Sequence, residues 1–213
     1  LLLRGTTRMA NLMAAESTSG ILEFHQASPT TGFTDALGYL VGGAARSYVI
    51  AAMFTPFLFA AAIGAEVSLI STFVGLCLMV LSAAMYQLMG MLLGLAGSGR
   101  WSFTTAATVI TICMLIFARP ISSLGVSVVG YLTPYPGLAS LNLLGEKAVT
   151  QMTDAHFFGF SISPVIYTIL VQCFVITFLF WAVSRKLKRT DTPGFSRMGA
   201  ILFFSVFTVL MLS

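Results

Sequence analysis

VSLISTFVGLCLMVLSAAMYQLMGMLLGLA, Val67 to Ala96, decides the fold. It carries no charged side chain from end to end. An α-helix needs about 20 predominantly apolar residues to cross the hydrocarbon core of a bilayer. The rest of the chain agrees with this run. Of its 213 residues, 57% are hydrophobic and only 8% charged, where soluble domains carry about 25% charged residues. Mean hydropathy is +0.94. These values identify an integral membrane protein, and helices that satisfy their own backbone are the fold class for such runs.

Further candidate spans flank this one. One runs from Leu37 to Ile63, another from Phe103 to Phe117, another from Ile162 to Val183, and a fifth starts near Met198. The opening LLLRG reads as the end of an apolar run, so a further helix is expected before Leu1. Charge sets the orientation. With the N-terminal segment in the cytoplasm, Arg4, Arg8, Arg46, Arg100, Arg185, Lys186, Lys188, Arg189 and Arg197 lie inside or at the inner edge. Only Arg119 and Lys147 then lie outside, which is a positive-inside bias. The net charge of +4 is therefore read as topology-setting, with no nucleic-acid partner. The basic run from Ser184 to Arg197 also suits anionic membrane lipid.

The expected organisation follows. Residues 1–36 form a cytoplasmic segment and 37–185 a transmembrane bundle. Residues 186–197 form a basic cytoplasmic loop, and 198–213 begin a further span. Gly64, Ala65 and Glu66 leave room only for a tight hairpin between the first two spans. GSGRW, Gly97 to Trp101, makes the corresponding inner turn. The outer segment 119–161 contains two apolar pieces too short to cross, Gly125 to Leu132 and Gly137 to Leu144, with Pro134 to Pro136 as the break. Such pieces point to re-entrant or interfacial helices, the alternative being a membrane-hugging loop. Gly38 with Gly42, and Gly90 with Gly94, have the small-xxx-small spacing that lets helix backbones approach. In a chain with 19 glycines, chance spacing is the competing explanation.

Chemistry is sparse. The spans hold no paired carboxylates, no H-E-x-x-H and no Ser-His arrangement. Cys77, Cys113 and Cys173 sit in apolar runs without metal-ligand spacing and are expected to be reduced packing residues. His25 and His156 read as interfacial polar residues on opposite sides of the bilayer. No phosphate-binding loop occurs, so the chain is not expected to be an enzyme or to hold a cofactor. A smooth apolar interior suits movement of an apolar or amphipathic substrate, driven from outside the bundle.

The polar stretch GILEFHQASPTTGFTDALGYL, Gly20 to Leu40, precedes the first of these spans. Ser17 to Ser19 and Gly20 offer helix caps, and Glu23 favours the N-terminus of the helix that follows. Ser28-Pro29 ends it, and Thr34 is a plausible cap for the next helix, which runs into the first span. The result is a short amphipathic helix on the cytoplasmic face, either a lever for a solvent-side partner or an interfacial anchor.

This stretch resembles the permeases of bacterial type-2 ABC exporters. Gly20, Ile21, Leu22 and Glu23 match the first half of that family's motif, and Ser28, Pro29, Thr30 and Thr31 the second. The tight hairpin, the outer segment and SRKLKR are similar in place and character. The resemblance implies an all-α, multi-pass helical bundle with a short cytoplasmic coupling helix and outer re-entrant helices, in the inner (plasma) membrane. It implies that Gly20, Ile21, Leu22, Glu23, Phe24, His25, Gln26 and Pro29 contact an ATP-binding subunit, which holds ATP and Mg. It also implies a homodimer or pseudo-dimer of membrane subunits. The fifth apolar segment implies a longer permease or half of a fused pair. The rival readings are a membrane scaffold that recruits a cytoplasmic partner without transport, and an intramembrane enzyme, which the lack of buried ionisable pairs disfavours.

Overall fold

Leu2–Ser19 forms helix α1. This computed structural model describes residues 2–96, 105, 107–114, 116, 127–144, 155–157, 160–188 and 197–211. The buried residues of α1, namely Gly5, Thr6, Met9, Ala10, Met13 and Ala14, recur along one stripe, as a helix packed on a single neighbour requires. That neighbour is α5, Leu69–Ala96. A Cβ placed on Gly90 would stand 2.4 Å from the Thr6 carbonyl oxygen, and one on Gly94 would stand 2.5 Å from that of Ala10. The register advances by four on both helices, so α1 and α5 run parallel at close range. The backbones touch because neither glycine carries a side chain.

The N-terminal polar stretch folds into two helices. Thr18 donates from Oγ1 to the Ala14 carbonyl at 3.1 Å, so Ser17 to Ser19 finish α1 instead of capping its successor. Gly20 then turns the chain at φ +77°, a left-handed position that glycine occupies without steric cost. Ile21–Ala27 is α2, and the Glu23 amide bonds to the Gly20 carbonyl at 3.1 Å. The cap of α3, Gly32–Gly42, is Thr31, not Thr34. Thr31 is extended, and its Oγ1 accepts from the Thr34 amide at 3.2 Å.

The apolar run from Leu37 to Ile63 is not one helix. It breaks at Gly43 and Ala44, where a Cβ on Gly43 would lie 2.6 Å from the Met9 Sδ, and restarts as α4, Ala45–Gly64. The turn from α4 to α5 is tight, with Glu66 at φ 55°. Among the described residues, three helices are long and apolar enough to span a bilayer: α4, α5 and Pro164–Lys188. Residues 107–114 are also helical, designated α6. The inner turn 97–101 and residues 119–126 and 145–154 lie outside the described residues.

Further along, Ser127–Tyr131 is α7 and Tyr135–Ser140 is α8. Pro134 caps α8 and Pro136 lies in its first turn, so the Pro134-Tyr135-Pro136 stretch starts a helix, and the break falls just before it. A Cβ on Gly137 would meet Leu78 at 2.7 Å, and one on Gly75 would meet Leu143 at 2.3 Å. Both contacts fall about 9 to 14 Å along α5 from its first residue, at 1.5 Å per residue. The short helices thus lie alongside a membrane span. Ala155–Phe157 (β1) and Phe160–Ile162 (β2) form a two-stranded antiparallel hairpin.

Pro164–Lys188, α9, closes the bundle against α5, α3 and α8. Arg185, Lys186 and Lys188 sit in its last turn, where cations complement the helix dipole. Arg197–Met211, α10, lies beside α9 through stacked rings of Phe203 and Phe174, 5.9 Å apart. The larger core joins Met9, Met13, Leu22, Ala36, Leu88, Met91, Val183 and Leu187, so α1, α2, α3, α5 and α9 share it. Among the described residues the protein is an all-α helical membrane bundle apart from the small β1–β2 hairpin.

Candidate functional site

The side chain of Leu22 is buried in the larger core, on the side where α2 packs against α1 and α9. Ile21, Glu23 and Ala27 face outward, with Ile21 46% exposed. So α2 is keyed into the bundle on one side and open on the other. Gln26 is half-buried with its amide nitrogen unpaired among the described residues. Phe24 and His25 fall within α2, and Pro29 lies in the exposed bend that follows it.

The bend is tied to the C-terminal end of α9. Lys188 Nζ donates to the Ser28 carbonyl at 3.3 Å and to Thr30 Oγ1 at 3.5 Å, and pairs with Asp35 Oδ2 at 3.4 Å. An ammonium carries three donors, so a single lysine can hold several acceptors of the bend at once. Next to this clamp, a Cβ on Gly32 would stand 2.2 Å from the Ser184 carbonyl, so the start of α3 lies directly on α9. The Phe33 and Phe180 rings add an edge contact, with centroids 4.9 Å apart. Displacing α2 must therefore displace α3 and α9 together.

The two glycine pairs differ. Gly90 and Gly94 carry the α1–α5 contact, whereas Cβ atoms on Gly38 and Gly42 would meet nothing within 4 Å. Gly38 and Gly42 instead border an open groove of about 750 Å³ between α1 and α3. Arg8, Asn11 and Glu16 line it from α1, and Asp35 and Tyr39 from α3. Tyr39 donates its hydroxyl hydrogen to Glu16 Oε2.

The bundle interior is less uniformly apolar than the composition implies. Gln87 and Gln172 are fully buried in the spans. Tyr48 donates to Gln87 Oε1 at 2.6 Å, joining α4 to α5. Ser82 donates to Gln172 Oε1 at 3.0 Å, joining α5 to α9, while Gln172 Nε2 reaches the Tyr131 carbonyl at 3.5 Å. Buried amides in a membrane span need such partners, and they bind helices to one another. The three cysteines are exposed on helix surfaces and do not fill the core. Among the described residues, no group of His, Cys, Asp and Glu could hold a metal ion.

Comparison with family models, curated proteins and solved structures finds no match for this chain.

Proposed function

We propose that this chain is the membrane-spanning permease subunit of an ABC exporter in the inner membrane. ATP is bound with Mg and hydrolysed by a separate partner subunit. The observation that carries the reading is the two-sided character of α2: Leu22 is locked in the core, while Ile21 and Glu23 face outward. A lever needs a face free for its driver and a face fixed to its load.

The route of force follows from the contacts. Closure of the ATPase dimer pushes on α2. Leu22 transmits the push to the core it shares with α1 and α9, and the Lys188 clamp makes the α2–α3 bend move with α9. The stiff unit of α3 and α9 then shifts against α5 and switches access across the membrane. The apolar or amphipathic substrate passes between two such bundles, in a homodimer or pseudo-dimer. In this assembly α4 supplies apolar surface, since its faces are largely uncovered within the chain.

The test is purification of the full-length protein in mild detergent, with ATP hydrolysis assayed in the same fraction. A stoichiometric ATP-binding subunit is expected, and it should be lost in an Ile21→Asp, Glu23→Arg double variant that still folds. A stable complex without an ATPase would overturn the reading in favour of a scaffold.

A further inference from the structure

The groove between α1 and α3 is a site the exporter mechanism does not use. Its charged groups are ordered. Arg8 and Glu16 lie on the same helix, eight residues apart (16 − 8), which is about 12 Å at 1.5 Å per residue. Arg8 lies between Thr6 and Ala10, the residues that touch Gly90 and Gly94, and is therefore level with the last turns of the α5 span. Glu16 lies beyond the end of that span, on the side where Asp35 and Lys188 meet. So the cation sits deeper and the carboxylate nearer the water.

The groups are also unequal in what they already hold. Asp35 is paired with Lys188, and Glu16 accepts from Tyr39 through one oxygen, leaving the other open. Arg8 makes no ion pair or hydrogen bond among the described residues. A guanidinium at this depth favours a phosphate, which it meets with two parallel bonds. The glycine edge at Gly38 and Gly42 keeps the groove open.

We propose that this groove seats one inner-leaflet phospholipid with a primary-amine headgroup, phosphatidylethanolamine. Arg8 holds the phosphate, and the ammonium lies at Glu16. A phosphate and an ammonium two carbons apart, with a hydrogen bond of about 3 Å at each end, cover the Arg8–Glu16 interval. The order also matches, because in the inner leaflet the phosphate lies deeper than the amine. Phosphatidylglycerol would offer the Glu16 carboxylate only neutral hydroxyls, without the charge of an ammonium. The inference rests on the membrane orientation proposed above, but not on the ATPase partner.

The experiment is native mass spectrometry of the full-length protein released from nanodiscs of equal phosphatidylethanolamine and phosphatidylglycerol. Retention of one phosphatidylethanolamine per chain is expected. Arg8→Gln should lower the retained fraction about tenfold. Glu16→Gln should bring the ratio of the two lipids to about one. Gly38→Leu fills the open edge without meeting any neighbour within 4 Å, and should displace the lipid from a chain that folds normally. Equal retention of both lipids by the unmodified protein, or unchanged retention in Arg8→Gln and Gly38→Leu, would overturn the proposal. Displacement by soluble phosphoethanolamine as readily as by lipid would overturn its assignment to a phospholipid. Lost lipid preference with the ATPase still bound would sink this inference alone, and an intact preference without an ATPase would sink the exporter reading alone.

Discussion

Helices α1 and α4 both lie against α5, and they do so in opposite ways. α1 is sunk into α5 at Gly90 and Gly94, backbone against backbone. α4 is the more apolar helix by composition, yet only 6% of its apolar window is buried. Its Phe54 and Phe57 stand in the open. The difference teaches that apolarity does not decide burial inside a membrane, because lipid tails solvate Leu and Phe as well as a neighbouring helix does. What decides it is how closely backbones approach and which polar groups need partners. The single described side-chain hydrogen bond from α4 to α5, Tyr48 to Gln87, is a polar contact of this kind.

The comparison can be broken by substitution, with effects expected in a clear order. The largest should come from Leu22→Ala, which empties a core position where α2 packs against α1 and α9. A loss of about 2 to 5 kcal/mol is expected by denaturant titration in detergent. Gly90→Ala should follow, at about 1 to 3 kcal/mol, since the new methyl would press on the Thr6 carbonyl. Gly38→Ala should cost less than about 0.5 kcal/mol in the same titration, as that position is open. Equal losses at the two glycines would erase the contrast.

Between the two glycines in size falls Gln172→Leu, which leaves the buried Ser82 hydroxyl without its acceptor. About 0.6 to 1.7 kcal/mol is expected, checked by a double-mutant cycle with Ser82→Ala. The smallest effect should come from Phe57→Ala on α4, within about 0.5 kcal/mol for the single chain. Any larger change should appear only in cross-linked dimer yield, because the side chain faces outward.

The spans themselves were legible in the sequence, because an uncharged run is a local property. Leu69–Ala96 and Pro164–Lys188 fall where the apolar runs lie. α1 was not legible as a helix. Arg4, Thr6, Thr7 and Arg8 dilute its apolar pattern, and its stability comes from contact with glycines more than eighty positions away. The break at Gly43–Ala44 was hidden because the apolar run continues through it, while the cause is Met9 on another helix. Thr31 and Thr34 are both capable caps, and only the extended backbone of Thr31 distinguishes them. The hairpin strands are too short for a period of two to register.

For the candidate site, the short helix and its end at Ser28-Pro29 were readable from the glycine, the acid and the proline. The role of Lys188 was not. Nothing local links a basic residue at the end of one span to a bend 160 positions earlier. Asp35 offered the one usable hint, as a carboxylate near a membrane edge needs a cation. The polar crossbars were missed for the same reason, since Ser82 and Gln172 meet only through the fold.

The most direct measurement is site-specific cross-linking in the full-length complex. A cysteine would be placed by Glu23→Cys or by Phe57→Cys, with Cys77, Cys113 and Cys173 changed to serine. The lever reading expects the position-23 cysteine to cross-link to an ATP-binding subunit, with a yield that changes when ATP is added, and the position-57 cysteine to give no such product. Absence of any ATPase adduct at position 23, in a chain that folds and inserts, would contradict it.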